Sequence, residues 1–213
     1  MTFAEFEKRI VKIAKMELPG EVIQLKMAPI ERLIELKTKA RELNLARRAA
    51  VLALFYPNAN MEPCLILILR KTYKGVHSAQ IGFPGGKFEK EDIDLKATAL
   101  RETEEEVGVS RETVSVLKEL TEVFIPPSNF FVQPFIGITP KTPNFKAQED
   151  EVEALIEVPL SHFMDDAIIT NQVLTTSYGT NIDVPGFLLN DHVVWGATAM
   201  MLNEVRELLK QVL

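Results

Sequence analysis

Glutamates crowd the stretch Arg101-Glu102-Thr103-Glu104-Glu105-Glu106-Val107-Gly108, and a glycine pair followed by a lysine, Gly85-Gly86-Lys87, precedes it. Carboxylates at these spacings suit one kind of chemistry, holding a hard divalent cation such as Mg²⁺ or Mn²⁺ through oxygen. Without a cation the grouping is unfavourable. Like charges three or four residues apart oppose a helix by about 0.2–0.5 kcal/mol per exposed pair, and the negative end of the helix dipole falls on the same turns. Two carboxylates about 5 Å apart in a partly shielded site would repel by roughly 3 kcal/mol at an effective dielectric of 20. A divalent ion removes that penalty, whereas a solvated helix face tolerates it, and on the Glu run alone both readings stand. Gly86, Arg101, Glu102, Glu105, Glu106 and Gly108 together are harder to assign to composition. At about 6% per residue type, six fixed types coincide on the order of once in ten million windows.

The element that must carry these acids is a helix running roughly from Ile93 to Val107, closed by Gly108 as a left-handed cap residue ahead of apolar Val109. At about 100° per residue with Leu100 at zero, Val107 falls near −20°, Ala97 near 60° and Thr103 near −60°, which makes a core face. Glu102 near 200°, Glu105 near 140° and Glu106 near −120° are then expected to share the opposite face. Phe83-Pro84-Gly85-Gly86, just before this helix, reads as a Gly/Pro loop. Ala49 to Phe55 and Cys64 to Arg70 are strand-sized apolar runs joined by the turn-rich Tyr56 to Asn60. Further strands are expected at Val114 to Leu117, Phe130 to Ile138, Val152 to Val158, Ile168 to Leu174 and Val184 to Leu189. Helical periodicity marks residues 3–16 through Phe3, Phe6, Ile10 and Ile13, a second helix after Pro29, and a final one over about Trp195 to Gln211. Strands mixed with a few helices, without regular βαβ alternation, place the chain in the α+β class as a mixed sandwich. Residues 1–47 read as an N-terminal helical extension and residues 48–213 as the main domain; the basic helices of the extension either pack on that domain or grip an anionic substrate.

Length and composition narrow the function. The chain has 213 residues, 46% hydrophobic and 25% charged, too apolar for disorder and long enough for one sizeable domain. Its net charge is −6, with +4 in residues 1–48 and −8 concentrated in residues 87–157. A nucleic-acid binder would show a basic face instead, so nucleic acid is not an expected partner. No apolar run approaches the roughly 18–20 residues that span a bilayer, so no membrane partner is expected. The single cysteine, Cys64, cannot form an internal disulfide. Met1 to Met16 mixes Glu with Lys and does not read as a secretory signal, so the cytoplasm is the expected compartment.

The box Gly86…Arg101-Glu102-x-x-Glu105-Glu106-x-Gly108 followed by Val109 resembles the signature of the Nudix hydrolases. The resemblance implies a Nudix-like α/β/α sandwich with a mixed sheet and cleavage of a nucleoside diphosphate linked to another group, with Mg²⁺ or Mn²⁺ as cofactor. Carried over by position, Glu102 and Glu106 are metal ligands, Glu105 is a third ligand or a helper, and Arg101 orients a carboxylate. The chain departs from the general box at its spacer. The acid there is Asp92 rather than Glu, and eight residues instead of seven separate it from Arg101.

The longer spacer is similar to that of the coenzyme A pyrophosphatase branch, as are Leu69-Arg70, His77 to Gly86, Thr98 to Glu102 and Trp195-Gly196-Ala197-Thr198-Ala199. This resemblance covers about residues 48–210. Ala79 stands where the branch usually has Gly. The branch implies hydrolysis of coenzyme A or acyl-coenzyme A to adenosine 3′,5′-bisphosphate and a 4′-phosphopantetheine product, and a homodimer. Glu151, at the start of an expected strand, matches the place where related enzymes supply an extra acid as base or ligand.

Gly85, Gly86, Arg70 and Lys87 are the expected substrate contacts, while Arg70, Lys71, Lys74 and Lys87 remain open between phosphate binding and ordinary solvation. His77 has no paired Cys or His for zinc, and Ser78 lacks a base motif. Phe130, Phe131 and Phe135 fit core better than adenine stacking. Two other readings remain: a Nudix hydrolase of ADP-ribose or a dinucleoside polyphosphate, and a non-catalytic nucleotide sensor. The sensor reading fits poorly with a complete set of box glutamates.

Overall fold

A computed structural model describes residues 1–38, 46–71, 80–177 and 179–213. The N-terminal segment holds α1 (Phe3–Ile10), α2 (Glu21–Gln24) and α3 (Ile30–Thr38). The periodic stretch expected as one helix over residues 3–16 changes at Val11 to a 3₁₀ turn, Val11–Lys15. Thr2 and Glu5 form a reciprocal capping box at the start of α1. The central sheet is built from β1 (Arg47–Pro57), β2 (Pro63–Arg70), β3 (Ile81–Gly82), β4 (Gly85–Lys87), β5 (Ser115–Glu119), β6 (Val123–Ile125), β7 (Phe130–Ile138) and β8 (Val152–Pro159). Helix α4 (Leu95–Val107) falls between β4 and β5, and α5 (Leu160–Phe163) follows β8. A smaller antiparallel sheet of β9 (Ile169–Thr176), β10 (Gly179–Leu189) and β11 (His192–Trp195) leads into α6 (Gly196–Lys210).

The sheet is mixed because β1 and β7 run parallel while their other pairings are antiparallel. Side chains alternate across a strand with period two, and β1 buries both sets. Ala49, Ala53 and Phe55 face one core with Phe6, Ile10, Leu202 and Val205. Ala50, Leu52, Leu54 and Tyr56 face the other with Ala99 and Val107 of α4. Two buried faces explain why β1 and β2 read as continuous apolar runs rather than alternating ones. Helices on both faces make the expected α/β/α sandwich.

The N-terminal segment packs directly into the first core. Phe6 is fully buried, its ring 5.3 Å from that of Phe55, and such a side chain contributes about 1.5–3 kcal/mol through burial. Among the described residues no helix is long and apolar enough to cross a membrane.

Candidate active site

The Gly/Pro loop expected before the acidic helix is in fact strand at its end. Gly85 and Gly86 of β4 pair with Val51 and Ala50 of β1. Gly85 is required sterically. Gly85 has φ +148°, and a Cβ there would come within 2.6 Å of the Val51 Cα. A Cβ on Gly86 would stand about 2.4 Å from the Glu102 carboxylate, so this residue lets the carboxylate lie against the backbone.

Helix α4 begins with Asp94, whose side chain accepts from the Ala97 amide at 2.7 Å. It ends at Gly108 in the left-handed conformation, as expected, with φ 76° and its N–H donating to the Glu104 carbonyl. The next segment crosses this end. The Lys146 amide donates to the Val107 carbonyl at 3.0 Å, and the Gln148 amide to that of Glu106 at 3.1 Å. Those bonds satisfy helix carbonyls that otherwise lack partners and bring Glu151, three residues on, to the carboxylates.

The expected outward face of three glutamates is not observed. Glu106 is fully buried, the Glu102 side chain is 14% exposed, and Glu105 is half exposed. The buried stripe of α4 contains Ala99, Thr103 and Val107. It is therefore rotated roughly 60° from the one centred on Leu100 and takes Glu106 inside. Glu106 accepts from the Gly85 amide at 2.7 Å and from Arg70 Nη1 at 3.1 Å. Burial pushes its carboxyl up to about 7; Arg70 and the Gly85 amide oppose that shift, and Glu102 and Glu151 reinforce it. Glu102 is also raised, chiefly by burial against the pull of Arg101, with Glu105 and Glu151 adding repulsion. Glu151 is exposed but close enough for its charge to act on both acids.

Arg101 ties the arrangement together. Its guanidinium donates to Asp92 at 2.9 and 3.0 Å, to Glu102 at 3.0 Å, to Glu105 at 3.2 Å and to the Lys87 carbonyl at 3.1 Å. Asp92 also accepts from the Thr98 hydroxyl and the Glu89 amide, and its bonds to Arg101 hold it well below the usual carboxylate range. The spacer acid is thus the anchor of the arginine that positions the box, a role its sequence position did not disclose.

Among the described residues no three His, Cys, Asp or Glu side chains stand together as a ready-made metal cage. The donors nevertheless fit a hard dication. Mg²⁺ keeps several waters and uses one or two carboxylates with substrate phosphates rather than a complete protein cage. Glu102 and Glu106 are raised by burial and by neighbouring carboxylates, Glu105 and Glu151 acting on the first and Glu102 and Glu151 on the second, as suits a cation site.

A cavity of about 290 Å³ adjoins the glycines. Gly85, Gly86, Lys87 and Arg70 line one part; Trp195 to Thr198 at the start of α6 line another, with Arg32, Ile125, Phe130 and Thr176 among the rest. None of the box glutamates lines it, so the cavity meets the acids only through the glycine backbone and Arg70. Arg70 also donates to the Gly85 carbonyl at 2.7 Å, so this expected substrate contact is engaged by the site itself.

Residues 46–173 match the NUDIX domain. The chain belongs to the Nudix hydrolase family. Nudix hydrolases are pyrophosphohydrolases acting on nucleoside diphosphate derivatives. A relative named "Uncharacterized Nudix hydrolase NudL" from Yersinia pestis (strain Pestoides F) is 33% identical over 175 residues, 78% of this chain and 80% of the relative. The protein of the same name from Yersinia pseudotuberculosis serotype O:1b (strain IP 31758) matches equally. The Nudix hydrolase RenU from M. smegmatis has a TM-score of 0.54 over 79% of this chain and 88% of that one, at 15% identity, a likeness of fold alone.

Several other expectations can be located in this Nudix fold. Lys74, His77, Ser78 and Ala79 lie outside the described residues. Phe130 and Phe135 are buried; Phe130 also lines the cavity. Phe131 is half-buried, with its ring 4.9 Å from that of Phe124. Burial raises the Cys64 thiol to about 11, which leaves it inert at neutral pH. Arg32 and Asp92 are contributors that motif reading missed: Arg32 carries no motif, and Asp92 showed only as an acid in the spacer.

Proposed function

We propose that this Nudix hydrolase cleaves the diphosphate of coenzyme A or acyl-coenzyme A, releasing adenosine 3′,5′-bisphosphate and (acyl-)4′-phosphopantetheine. One observation carries the substrate reading. The glycine stretch and Trp195 to Thr198, far apart in sequence and both similar to the coenzyme A branch, line a single cavity.

Glu102, Glu105 and Glu106 are the residues that would hold Mg²⁺ or Mn²⁺. The ion would supply charge neutralisation at the diphosphate and a more acidic bound water. The chain's own groups supply the rest. Asp92 holds Arg101, and Arg101 in turn holds Glu102 and Glu105 in place. Gly86 leaves room for the Glu102 carboxylate, and the Gly85 amide fixes Glu106. Exposed Glu151 is the general base: it reaches solvent beside the two raised acids, Glu102 and Glu106.

The test is a panel of coenzyme A, acetyl-coenzyme A, ADP-ribose and a dinucleoside polyphosphate, each with Mg²⁺ or Mn²⁺ and with products analysed. Coenzyme A is expected to give the highest kcat/KM, with both named products in equal amounts. No turnover of coenzyme A at any metal concentration would remove the proposal.

A further inference from the structure

The outer edge of the small sheet lacks the protection that other sheet edges of this molecule carry. An edge strand offers unpaired amides and carbonyls to any extended chain, and charged side chains or proline usually blunt it. Among the described residues, β5 and β8 each pair with one strand only. β5 carries Lys118 and Glu119, and β8 carries Glu153, Glu157 and Pro159. β9 also has one strand neighbour, β10, yet Ile169–Thr176 includes no charge and no proline. Two large apolar side chains stand out from it, Ile169 at 48% and Val173 at 62% exposure.

The turn on the far side of the sheet decides where the β9 backbone points. Asn190 and Asp191, with φ of 47° and 63°, make a two-residue hairpin turn between β10 and β11, closed by the pair Leu189 and His192. That closing pair is hydrogen-bonded. By alternation, Leu189, Phe187 and Pro185 direct their backbone groups away from β9, and Pro185 has no N–H to lose on that side. Ile182, Val184 and Gly186 then bond their β9 partners Leu174, Gln172 and Thr170. Ile169, Asn171 and Val173 are left turning their amides and carbonyls outward, except that the Ile169 amide donates to the Asp166 carbonyl. The side chains of these same three residues are the exposed ones.

We infer that β9 pairs antiparallel with β9 of a second copy of this chain, joining two small sheets edge to edge. The strand is complementary to itself. A two-fold axis at Asn171 sets Asn171 opposite its own copy and Ile169 opposite Val173 of the second copy. Asn171 then exchanges two hydrogen bonds with its copy, and each Val173 amide donates to an Ile169 carbonyl. Both pairs of β-branched side chains meet across the strands, a contact that favours pairing, and no charge within β9 faces its like. An unrelated chain would have to match this spacing, whereas a second copy matches it by symmetry.

Sedimentation velocity of the full chain, from micromolar to near-millimolar protein, is expected to show a reversible monomer–dimer equilibrium. A wild-type chain that stays monomeric throughout overturns the inference and leaves the edge to another partner or to none. Asn171→Lys and Asn171→Glu each set like charges directly opposite at the axis, and each should raise the dissociation constant about tenfold or more. Mixed in equal amounts, the two variants should dimerise at least as tightly as wild type, which also shows that both fold. A dimer that neither variant weakens lies elsewhere on the surface, and weakened variants that do not restore each other rule out pairing at Asn171; either result overturns the inference. Hydrogen exchange on wild-type protein needs no variant. The Asn171 and Val173 amides should be protected in concentrated protein and exchange rapidly on dilution, and exchange independent of concentration overturns the pairing even if the variants fail to fold.

Discussion

Two glutamates on two helices are fully buried, and the protein treats them oppositely. Glu204 of α6 accepts four hydrogen bonds, from the Gly20 amide at 3.1 Å, Gln24 Nε2 at 2.8 Å, the Thr121 amide at 3.1 Å and the Thr121 hydroxyl at 2.6 Å. Those donors come from the N-terminal segment and from the turn between β5 and β6, so the carboxylate joins three parts of the fold. Glu106 of α4 accepts one amide and one guanidinium while two further acids act on it. A buried anion with its oxygens satisfied is architecture. A buried anion left short of positive charge is unfavourable by itself and suited to binding a cation. The contrast separates what holds this molecule together from what gives it chemistry.

The largest effects should break that contrast in opposite directions. Glu106→Gln removes a proposed metal ligand and is expected to lower kcat by about 10³-fold, equivalent to the several kcal/mol that metal charge stabilisation supplies. Its fold should survive, as read by a thermal melt. Glu204→Ala leaves four donors without their acceptor and should destabilise the protein by about 3 kcal/mol, read from the denaturant midpoint. Its kcat below the melting range is expected to stay within about threefold of wild type. If Glu106→Gln destabilised the fold as severely as Glu204→Ala, the two carboxylates would not divide as described.

The comparison also has a pH signature. Glu106 titrates near 7 in the fold against an ordinary value of 4.5. The folded protein therefore keeps a proton that the unfolded chain releases, and the associated stability is complete below about pH 4.5 and lost as pH rises through about 7. At about 1.4 kcal/mol per unit, the full loss is roughly 3–4 kcal/mol, most of it between pH 5 and pH 8. Denaturant midpoints of metal-free protein at pH 5 and pH 8 should show it, and Glu106→Gln should show correspondingly less. An identical pH dependence in the two proteins would contradict the assignment.

How much of this could be read in the chain followed from how local each feature is. The limits of α4, its Gly108 cap and the run of β7 come from short-range periodicity and turn chemistry, and they fall where the sequence suggested. β4 was missed because two glycines carry no apolar alternation; its strand form depends on β1 alongside it. The burial of Glu106 was missed for a related reason. A helical wheel anchored on Leu100 ranks residues by hydrophobicity, but packing against β1 selected the small Ala99 and Thr103. Arg32 left only the general basic character of the N-terminal helices as a trace, since nothing local tells which cation the sheet brings to the cavity. The box lies in one contiguous stretch and could be read; the cavity is assembled from segments more than 150 residues apart, Arg32 to Trp195, and could not.

Gly86→Ala tests the close approach behind the contrast. Its added methyl would occupy space within about 2.4 Å of the Glu102 carboxylate, and displacement of a reacting group by about 1 Å typically lowers the rate around 10²-fold. The loss should persist at saturating metal, because geometry rather than occupancy has changed. Asp92→Asn should do the reverse, and more mildly. Arg101 would keep its bonds to Glu102, Glu105 and the Lys87 carbonyl while losing the charge that fixes its far side. The metal concentration for half-maximal activity should rise about tenfold, as when a partner of a metal ligand is removed, and kcat should recover once metal saturates. A drop in kcat that excess metal cannot restore would mean that Asp92 serves the fold of the loop and not the poise of the acids.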